Sequence, residues 1–258
     1  MTEQEKLMYE ILGQITTSDI PIVFKGGLIT KLILNESGLS SVQRTTKDID
    51  ANWIGQPPSM DYLVDSLNNS FGDLQRCYKA VASRQYGEKQ SAGISVIDKN
   101  TGRKFITMDI DIKPLIDSKT YYYEQTKIRG VLPDEILADK ICVLSGEAIY
   151  KSRAKDVLDV FLLSKCVEVY SKDISDICKR AGREIKSFDA FHNKEAEIEH
   201  AYNKLKGIEG KPDFNTVYNY LYEFVVPFAQ EVIPNKMWDC KSLSWNDVCK
   251  TKSPLSRK

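Results

Sequence analysis

The distribution of apolar residues changes near the middle of the chain, and the change predicts two structurally different halves. Before Pro133, short apolar runs and segments of alternating apolar and polar residues are typical of strands. After Pro133, apolar residues recur at helical spacing. We therefore expect an α+β fold, with a mixed β-sheet half and flanking helices over residues 1–130 and an all-α half over residues 131–258.

Local signals predict the individual elements of the first half. An opening helix is expected over Glu3–Ile15, where the apolar residues fall on one face, and another over Leu28–Leu34. Ser59 is expected to cap a helix over Met60–Phe71. The predicted strands are Ile20–Phe24, Asp48–Trp53, Val81–Tyr86, Gly93–Asp98, Lys104–Lys113 and a short strand at Tyr122–Ile128.

The second half is predicted to be a series of helices. Pro133 suits the first position of a helix, because its missing N–H group would be unpaired there in any case. Pro227 is expected to end or kink the aromatic helix that begins at Phe214. The other predicted helices are the segment KSRAKDVLDVFLLSK, Ile174–Arg183 and Lys194–Leu205.

Composition excludes few functions. The chain has 36 basic and 36 acidic residues, so RNA binding would need a local basic patch. No apolar run is long enough for a membrane span, and the polar start MTEQEKLMYE is unlike a signal peptide, so we expect a cytoplasmic protein with no membrane partner. The six cysteines contain no C-x-x-C pair and the chain has two histidines, which argues against a zinc site.

The segment from Ile20 to Trp53 carries the first candidate chemistry. Gly26 and Gly27 lie between a predicted strand and a predicted helix, where glycine and free N–H groups suit a phosphate. Asp48 and Asp50 are at alternate strand positions, so both carboxylates lie on one face and suit Mg²⁺. A glycine turn or an Asp-x-Asp alone is commonplace, but their order in the chain favours phosphoryl or nucleotidyl transfer.

The ordered motif GGLITKL…RTTKDIDANW resembles the AbiEii/AbiGii toxin family of nucleotidyltransferases, from type IV toxin–antitoxin and abortive-infection systems. The resemblance implies a nucleotidyltransferase-like sheet and a third carboxylate on a neighbouring strand. Asp109 is the first choice and Asp111, on the same strand face, is the alternative. An ordinary half-exposed strand would also explain both acids. Gly27 departs from the nucleotidyltransferase superfamily, in which serine is the commoner choice, so a hydroxyl is missing at the turn although backbone donors remain.

Two later motifs extend the resemblance into the helical half. Glu135 and Lys140 match a Glu-x-x-x-x-Lys helix, and the following helix matches an Arg-x-Lys-Asp-x-x-Asp segment. The resemblance implies that Lys140 contacts phosphate and that Asp156 positions Lys140 or the acceptor. Without the resemblance, these residues would be interpreted as exposed helix charges, either paired with each other or unpaired. The residues of the second motif are Arg153, Lys155, Asp156 and Asp159.

The resemblance thus implies an Mg²⁺-dependent nucleotidyltransferase toxin that transfers a nucleoside monophosphate from an NTP to an RNA, specifically a tRNA. Two Mg²⁺ ions and a cognate antitoxin are expected. A small-molecule nucleotidyltransferase and a non-catalytic nucleotide-binding module remain alternatives. The expected catalytic residues are Asp48, Asp50, Asp109, Lys140 and Asp156; the metal ligands are Asp48, Asp50 and Asp109; the nucleotide-binding residues are Lys25, Gly26, Gly27, Arg44 and Lys140.

Overall fold

The computed structural model of the protein describes residues 2–87, 91–113, 115–147 and 150–248. The chain divides into two compact units. The first consists of Met1–Glu36 and Gln43–Leu132, and the second of Ser37–Val42 and Pro133–Lys258. Each unit is described by itself.

Within the described residues, the first unit is built on a seven-stranded mixed sheet. Its elements are α1 (Glu3–Thr17), β1 (Ile22–Lys25), α2 (Gly26–Glu36), β2 (Gln43–Arg44), β3 (Asp48–Ile54), α3 (Met60–Ser70), a 3₁₀ turn (Gly72–Arg76), β4 (Tyr78–Arg84), β5 (Ser91–Asp98), β6 (Lys104–Lys113), β7 (Ser118–Tyr123) and β8 (Thr126–Val131). The strand order is β4-β5-β6-β3-β1-β8-β7. Strand β3 is antiparallel to β1 and parallel to β6, so the sheet is mixed as expected.

The helices of this unit begin where their capping residues predict. Thr2 and Glu5 form a capping box at the start of α1, in which each side chain accepts a hydrogen bond from the other residue's backbone N–H. The Ser59 hydroxyl accepts a hydrogen bond from the Tyr62 N–H and caps α3, which confirms the sequence prediction. The apolar faces of these helices are buried, as shown by Ile11 and Leu63, both 0% exposed.

The prediction of one strand over Tyr122–Ile128 is wrong. The segment belongs to a hairpin, in which β7 and β8 pair antiparallel and Tyr121 lies opposite Ile128. Glu124 forms the turn with a φ of 52°, a left-handed conformation that glycine or asparagine adopts more easily. Because neither residue is present at that position, the sequence contains no standard hairpin signal there.

The second unit is mainly helical. Its elements are α4 (Pro133–Ser145), α5 (Tyr150–Ser164), β9 (Val169–Tyr170), α6 (Ser171–Arg180), α7 (Asp189–Asn193), α8 (Glu195–Asn203), β10 (Ile208–Glu209), α9 (Phe214–Val225), a 3₁₀ turn (Val226–Ala229), β11 (Lys236–Asp239) and β12 (Ser244–Asp247). Helix α9 ends next to Pro227, as expected from the missing N–H group of proline.

Short strands add to this helical unit in a way that helical periodicity does not predict. In the described chain, β12, β11 and β9 form a three-stranded sheet in that order. Trp238 of β11 is 2% exposed, and its Nε1 donates a hydrogen bond to the Ser164 carbonyl at 2.9 Å. The sheet thus fixes a large aromatic residue against the end of α5. No helix among the described residues is long and apolar enough to cross a membrane.

Candidate active site

The turn between β1 and α2 leaves no room for side chains. Gly26 has a φ of +71°, which glycine adopts without strain, and a Cβ atom on it would collide with the Asp50 carboxylate. A Cβ on Gly27 would lie 2.6 Å from the Thr46 Oγ1 and 2.8 Å from a guanidinium nitrogen of Arg44. The structure therefore brings the glycine pair, Asp50 and Arg44 together.

Strands β3 and β6 place the acidic residues side by side. The two strands are parallel and in register, with Asp50 opposite Asp109. On the other side of β3, Lys25 lies opposite Asp50. Residues opposite each other on neighbouring strands project from the same face of a sheet, and so do alternate residues of one strand. Asp48 is exposed and shares this face with Asp50 and Asp109.

Both candidates for the third carboxylate are engaged by cations. The Asp111 Oδ2 lies 2.6 Å from the Lys25 Nζ, and the Asp109 Oδ1 lies 2.9 Å from the Arg84 Nη2. Burial raises the pKa of Asp111, but the Lys25 ammonium, the Ser91 hydroxyl and the charge of Lys113 together more than offset this effect, so the pKa lies below its ordinary value. Asp111 is the more buried of the two acids, with 36% of its side chain exposed against 42% for Asp109.

Arg84 is a residue that the sequence reasoning missed. It lies on β4, separated from Asp109 by β5, and Gly93 is opposite both residues in the strand register. Because Gly93 has no side chain, the Arg84 guanidinium can extend across β5 to the carboxylate. A contact from β4 to β6 depends on the register of three strands, for which the local sequence carries no signal.

The donor set fits magnesium through the Asp-x-Asp pair. Among the described residues, no group of three or more histidine, cysteine or acidic side chains is placed to hold a metal ion. Magnesium commonly uses one or two carboxylates and completes its coordination with water and substrate phosphates. Asp48 and Asp50 provide two such carboxylates, and the Gly26 turn keeps the space beside Asp50 free of a side chain. Arg84 contacts the Oδ1 atom of Asp109, which leaves the Oδ2 atom as the oxygen through which Asp109 could join them.

Two buried polar side chains near these acids lack hydrogen-bond partners within the described chain. The Thr46 Oγ1 is one, although the Thr46 N–H donates to the Glu5 carboxylate at 3.3 Å. Asn52 is the other, with both amide atoms unpaired and 0% of the residue exposed. Asn52 lies two residues after Asp50 on β3 and opposite Asp111. Unpaired buried polar atoms are uncommon and often mark a site for water, an ion or a ligand.

In the second unit, Lys140 of α4 forms a buried ion cluster with α5. Its Nζ lies 2.7 Å from the Asp156 Oδ1 and 2.9 Å from the Asp159 Oδ2. The side chains of Lys140, Asp156 and Asp159 are 12%, 7% and 2% exposed, so their interpretation as surface charges is wrong. Burial lowers the pKa of Lys140, but the two carboxylates more than offset it, and the net pKa is raised.

Comparison with known families supports the motif assignment. The family described as nucleotidyl transferase AbiEii toxin, type IV toxin–antitoxin system, matches residues 10–219, which include every candidate site residue. This chain belongs to the AbiEii family. The resemblance that the motifs indicate is thereby confirmed, and with it the assignment of the chain to nucleotidyltransferase toxins. No match was found among curated proteins.

Solved structures with a similar fold include two nucleotidyltransferase-like proteins. MenT4, a nucleotidyltransferase toxin from Mycobacterium tuberculosis H37Rv, is 14% identical, with 89% of this chain and 83% of MenT4 covered at a TM-score of 0.46. An antigenic nucleotidyltransferase-like protein from Paracoccidioides brasiliensis is also 14% identical, with 84% of this chain and 92% of that chain covered at a TM-score of 0.43.

Proposed function

We propose that this toxin is an Mg²⁺-dependent enzyme that transfers a nucleoside monophosphate from an NTP to an RNA acceptor, specifically a tRNA. The observation that carries the proposal is the packing of the Gly26–Gly27 turn against Asp50, with Asp109 opposite Asp50 on the adjacent strand. A glycine turn at a helix N-terminus beside aligned carboxylates is an arrangement that suits nucleotidyl transfer.

The triphosphate is bound at the start of α2. Gly26 and Gly27 allow the phosphates to approach the backbone, and the N–H groups of the first helical turn donate to phosphate oxygens. Arg44 and Lys25 add positive charge beside this turn. The Thr46 hydroxyl, which has no hydrogen-bond partner among the described residues, would donate to a phosphate oxygen and supply the hydroxyl that Gly27 lacks.

Asp48, Asp50 and Asp109 are the proposed Mg²⁺ ligands, and two ions are proposed. When bound, Mg²⁺ would neutralise charge on the leaving pyrophosphate and lower the pKa of the attacking hydroxyl. Asp109 would also accept the proton from that hydroxyl. The Asp109 Oδ1 pairs with Arg84, and exposed ion pairs of this kind contribute only about 0–1 kcal/mol. The pair is therefore weak enough to be exchanged on substrate binding.

Lys140 and Asp156 are proposed as further catalytic residues on the basis of the family motifs. Lys140 would act through its positive charge on phosphate, and Asp156 would orient the Lys140 side chain, with which it forms an ion pair.

Transfer to RNA is tested by incubating the purified protein with each α-phosphate-labelled NTP and total tRNA, with Mg²⁺ or with EDTA. We expect label on tRNA with one or more NTPs, no label with EDTA, and none with Asp48→Ala. A parallel reaction with a panel of aminoglycosides tests the small-molecule alternative. Calorimetric binding of an NTP without pyrophosphate release on any acceptor would favour the non-catalytic alternative and would contradict the proposal.

The cellular role is tested by inducible expression in bacteria. A cytoplasmic toxin acting on tRNA is expected to arrest growth in the wild-type form and not as Asp48→Ala at equal protein level. The family is one of type IV toxin–antitoxin systems, so we also propose a cognate antitoxin partner. Growth arrest by both forms would show that toxicity does not depend on the proposed site.

A further inference from the structure

Two cysteines of the second unit lie close together and take part in none of the steps above. Cys142 is on α4 and Cys178 is on α6, and their Sγ atoms share a hydrogen bond with 2.8 Å between them. They are far apart in the sequence and form no C-x-x-C motif, so their spacing does not predict a pair. The packing of α4 against α6 brings the two thiols within reach of each other.

The surroundings of the two thiols differ. Cys178 is 1% exposed and donates to the Ala138 carbonyl at 3.5 Å, whereas Cys142 is partly exposed. The hydrogen bond with Cys178 lowers the pKa of Cys142, and the nearby Arg183 guanidinium lowers it further. Burial and the Asp139 carboxylate act in the opposite direction, but the net pKa lies below the ordinary 9.0. The same hydrogen bond and burial raise the pKa of Cys178.

These differences assign separate roles to the two cysteines in thiol chemistry. The thiolate is the reactive form, so the thiol with the lower pKa and the greater exposure reacts first with a reagent in solution. Cys142 has both properties. Cys178 is shielded from solvent but lies next to the Cys142 sulfur, which is the position of a resolving cysteine.

We propose that Cys142 and Cys178 form a reversible intramolecular disulfide by exchange with a small-molecule disulfide such as oxidised glutathione. The Cys142 thiolate attacks one glutathione sulfur, the glutathione S–S bond breaks, and the first glutathione leaves as a thiol after taking up a proton. Cys178 then loses its proton to solvent and attacks the Cys142 sulfur, which releases the second glutathione as a thiol. Both cysteine thiols are oxidised and one glutathione disulfide is reduced.

The disulfide would join α4 to α6 covalently. Helix α4 also carries Lys140, which forms the buried ion cluster with α5. The disulfide would therefore restrain the helix that holds Lys140. A disulfide stabilises mainly by restricting the unfolded chain, so the oxidised protein is expected to unfold at a higher temperature than the reduced protein.

The experiment treats the full-length protein with oxidised glutathione under native conditions, blocks the remaining thiols and maps the peptides by mass spectrometry. We expect a linked peptide pair containing Cys142 and Cys178, with the loss of two hydrogen atoms from the protein mass. Dithiothreitol should reverse the link and lower the melting temperature. Cys77 is exposed and serves as a positive control for the reagent, because it should form a mixed disulfide.

Two variants separate the roles of the thiols. Cys178→Ser should accumulate a mixed glutathione disulfide at Cys142, whereas Cys142→Ser should leave Cys178 unmodified because Cys178 is buried. A wild-type protein that reacts at Cys77 but forms no Cys142–Cys178 link would overturn the proposal. A link between other cysteines, such as Cys166 and Cys240, in place of this pair would overturn it as well.

Discussion

Asp50 of β3 and Asp109 of β6 lie opposite each other on adjacent parallel strands, although they are distant in the sequence. Asp111, two residues further along β6, lies opposite Asn52 and pairs with Lys25 at 2.6 Å. The register therefore favours Asp109 over Asp111 as the partner of Asp50. We propose different functions for the two acids of β6, with Asp109 as a metal ligand whose ion pair with Arg84 is exchangeable and Asp111 as the acid that holds Lys25.

Asparagine substitutions at these acids should separate the two functions. Asp50→Asn and Asp109→Asn should each lower nucleotidyl transfer by more than about 100-fold, because losing a residue that only supports a metal ligand already costs 10–100-fold. Asp111→Asn should retain most of the transfer activity. Transfer rates with labelled NTP measure the effect, and Asp65→Asn on an exposed position of α3 is the control. Loss of transfer in Asp111→Asn but not in Asp109→Asn would mean that Asp111, and not Asp109, is the third carboxylate.

The Gly26 turn allows a matched pair of alanine variants. Gly26 and Gly38 have nearly the same φ, +71° and +73°, so alanine at either position should cost roughly 1–2 kcal/mol of backbone strain. Only Gly26→Ala also pushes a methyl group into the Asp50 carboxylate, since no atom of the described residues lies within 4 Å of a Cβ on Gly38. We therefore expect both variants to lose stability in urea unfolding, and only Gly26→Ala to lose transfer activity. Equal activity in the two variants would contradict the proposed site.

The proposed role of the Thr46 hydroxyl in phosphate binding is tested by substitution with valine, which keeps the shape of the side chain. A hydrogen bond to a charged group contributes about 1.5–3 kcal/mol, so Thr46→Val should raise the Kd for NTP by roughly 10–100-fold. Stability should not fall, because the hydroxyl is buried and has no hydrogen-bond partner in the part of the chain that the structure describes. Thr45→Val at the exposed neighbouring position is the control. Unchanged NTP affinity by calorimetry would exclude Thr46 from the phosphate site.

The sequence predicts features whose causes are local. The Ser59 cap, the helix that starts at Pro133 and the bounds of Lys104–Lys113 depend on neighbouring residues, and the structure has each of them. The Arg84–Asp109 pair could not be predicted, because it depends on the register of three strands and on Gly93 between them. The β7–β8 turn was missed because Glu124 adopts a left-handed conformation that its side chain does not favour.

Features with local causes can also be separated from those that depend on packing at the candidate site. The strand face shared by Asp48 and Asp50 follows from the alternation of side chains along one strand. The burial of Lys140 with Asp156 and Asp159 does not follow from helical periodicity, because it depends on how α4 and α5 pack. Pairing between helices can therefore convert residues that look like surface charges into a buried cluster.

The Lys25–Asp111 pair should make stability depend on pH. The pKa of Asp111 is lower in the folded protein than its ordinary value of 3.8. The Asp111 carboxylate therefore contributes stability at pH values above 3.8, and this contribution is lost as the pH falls further, toward the pKa of the folded protein. The wild type should therefore be more stable than Asp111→Asn at neutral pH, and the difference should shrink toward about pH 3. Urea unfolding of both proteins across this range measures it. A stability difference between the wild type and Asp111→Asn that grows as the pH falls would contradict the prediction.

The Lys140 cluster should be far more important for stability than the exposed Arg84 pair. Lys140→Met removes the buried cation that Asp156 and Asp159 share and leaves Asp156 only its longer contact with Arg153 among the described residues, and breaking a buried ion pair from one side costs about 3–5 kcal/mol. Arg84→Gln removes an exposed pair and should cost less than about 1 kcal/mol. The free energy of unfolding in urea provides both values.

A combined variant tests the cause of the Lys140 effect. Adding Asp156→Asn and Asp159→Asn to Lys140→Met removes all three charges, so it should recover much of the lost stability, because the cost arises from uncompensated buried charge. Transfer activity should stay low in the combined variant if Lys140 acts on phosphate. Recovery of both stability and activity would show that the cluster serves only the fold of the second unit.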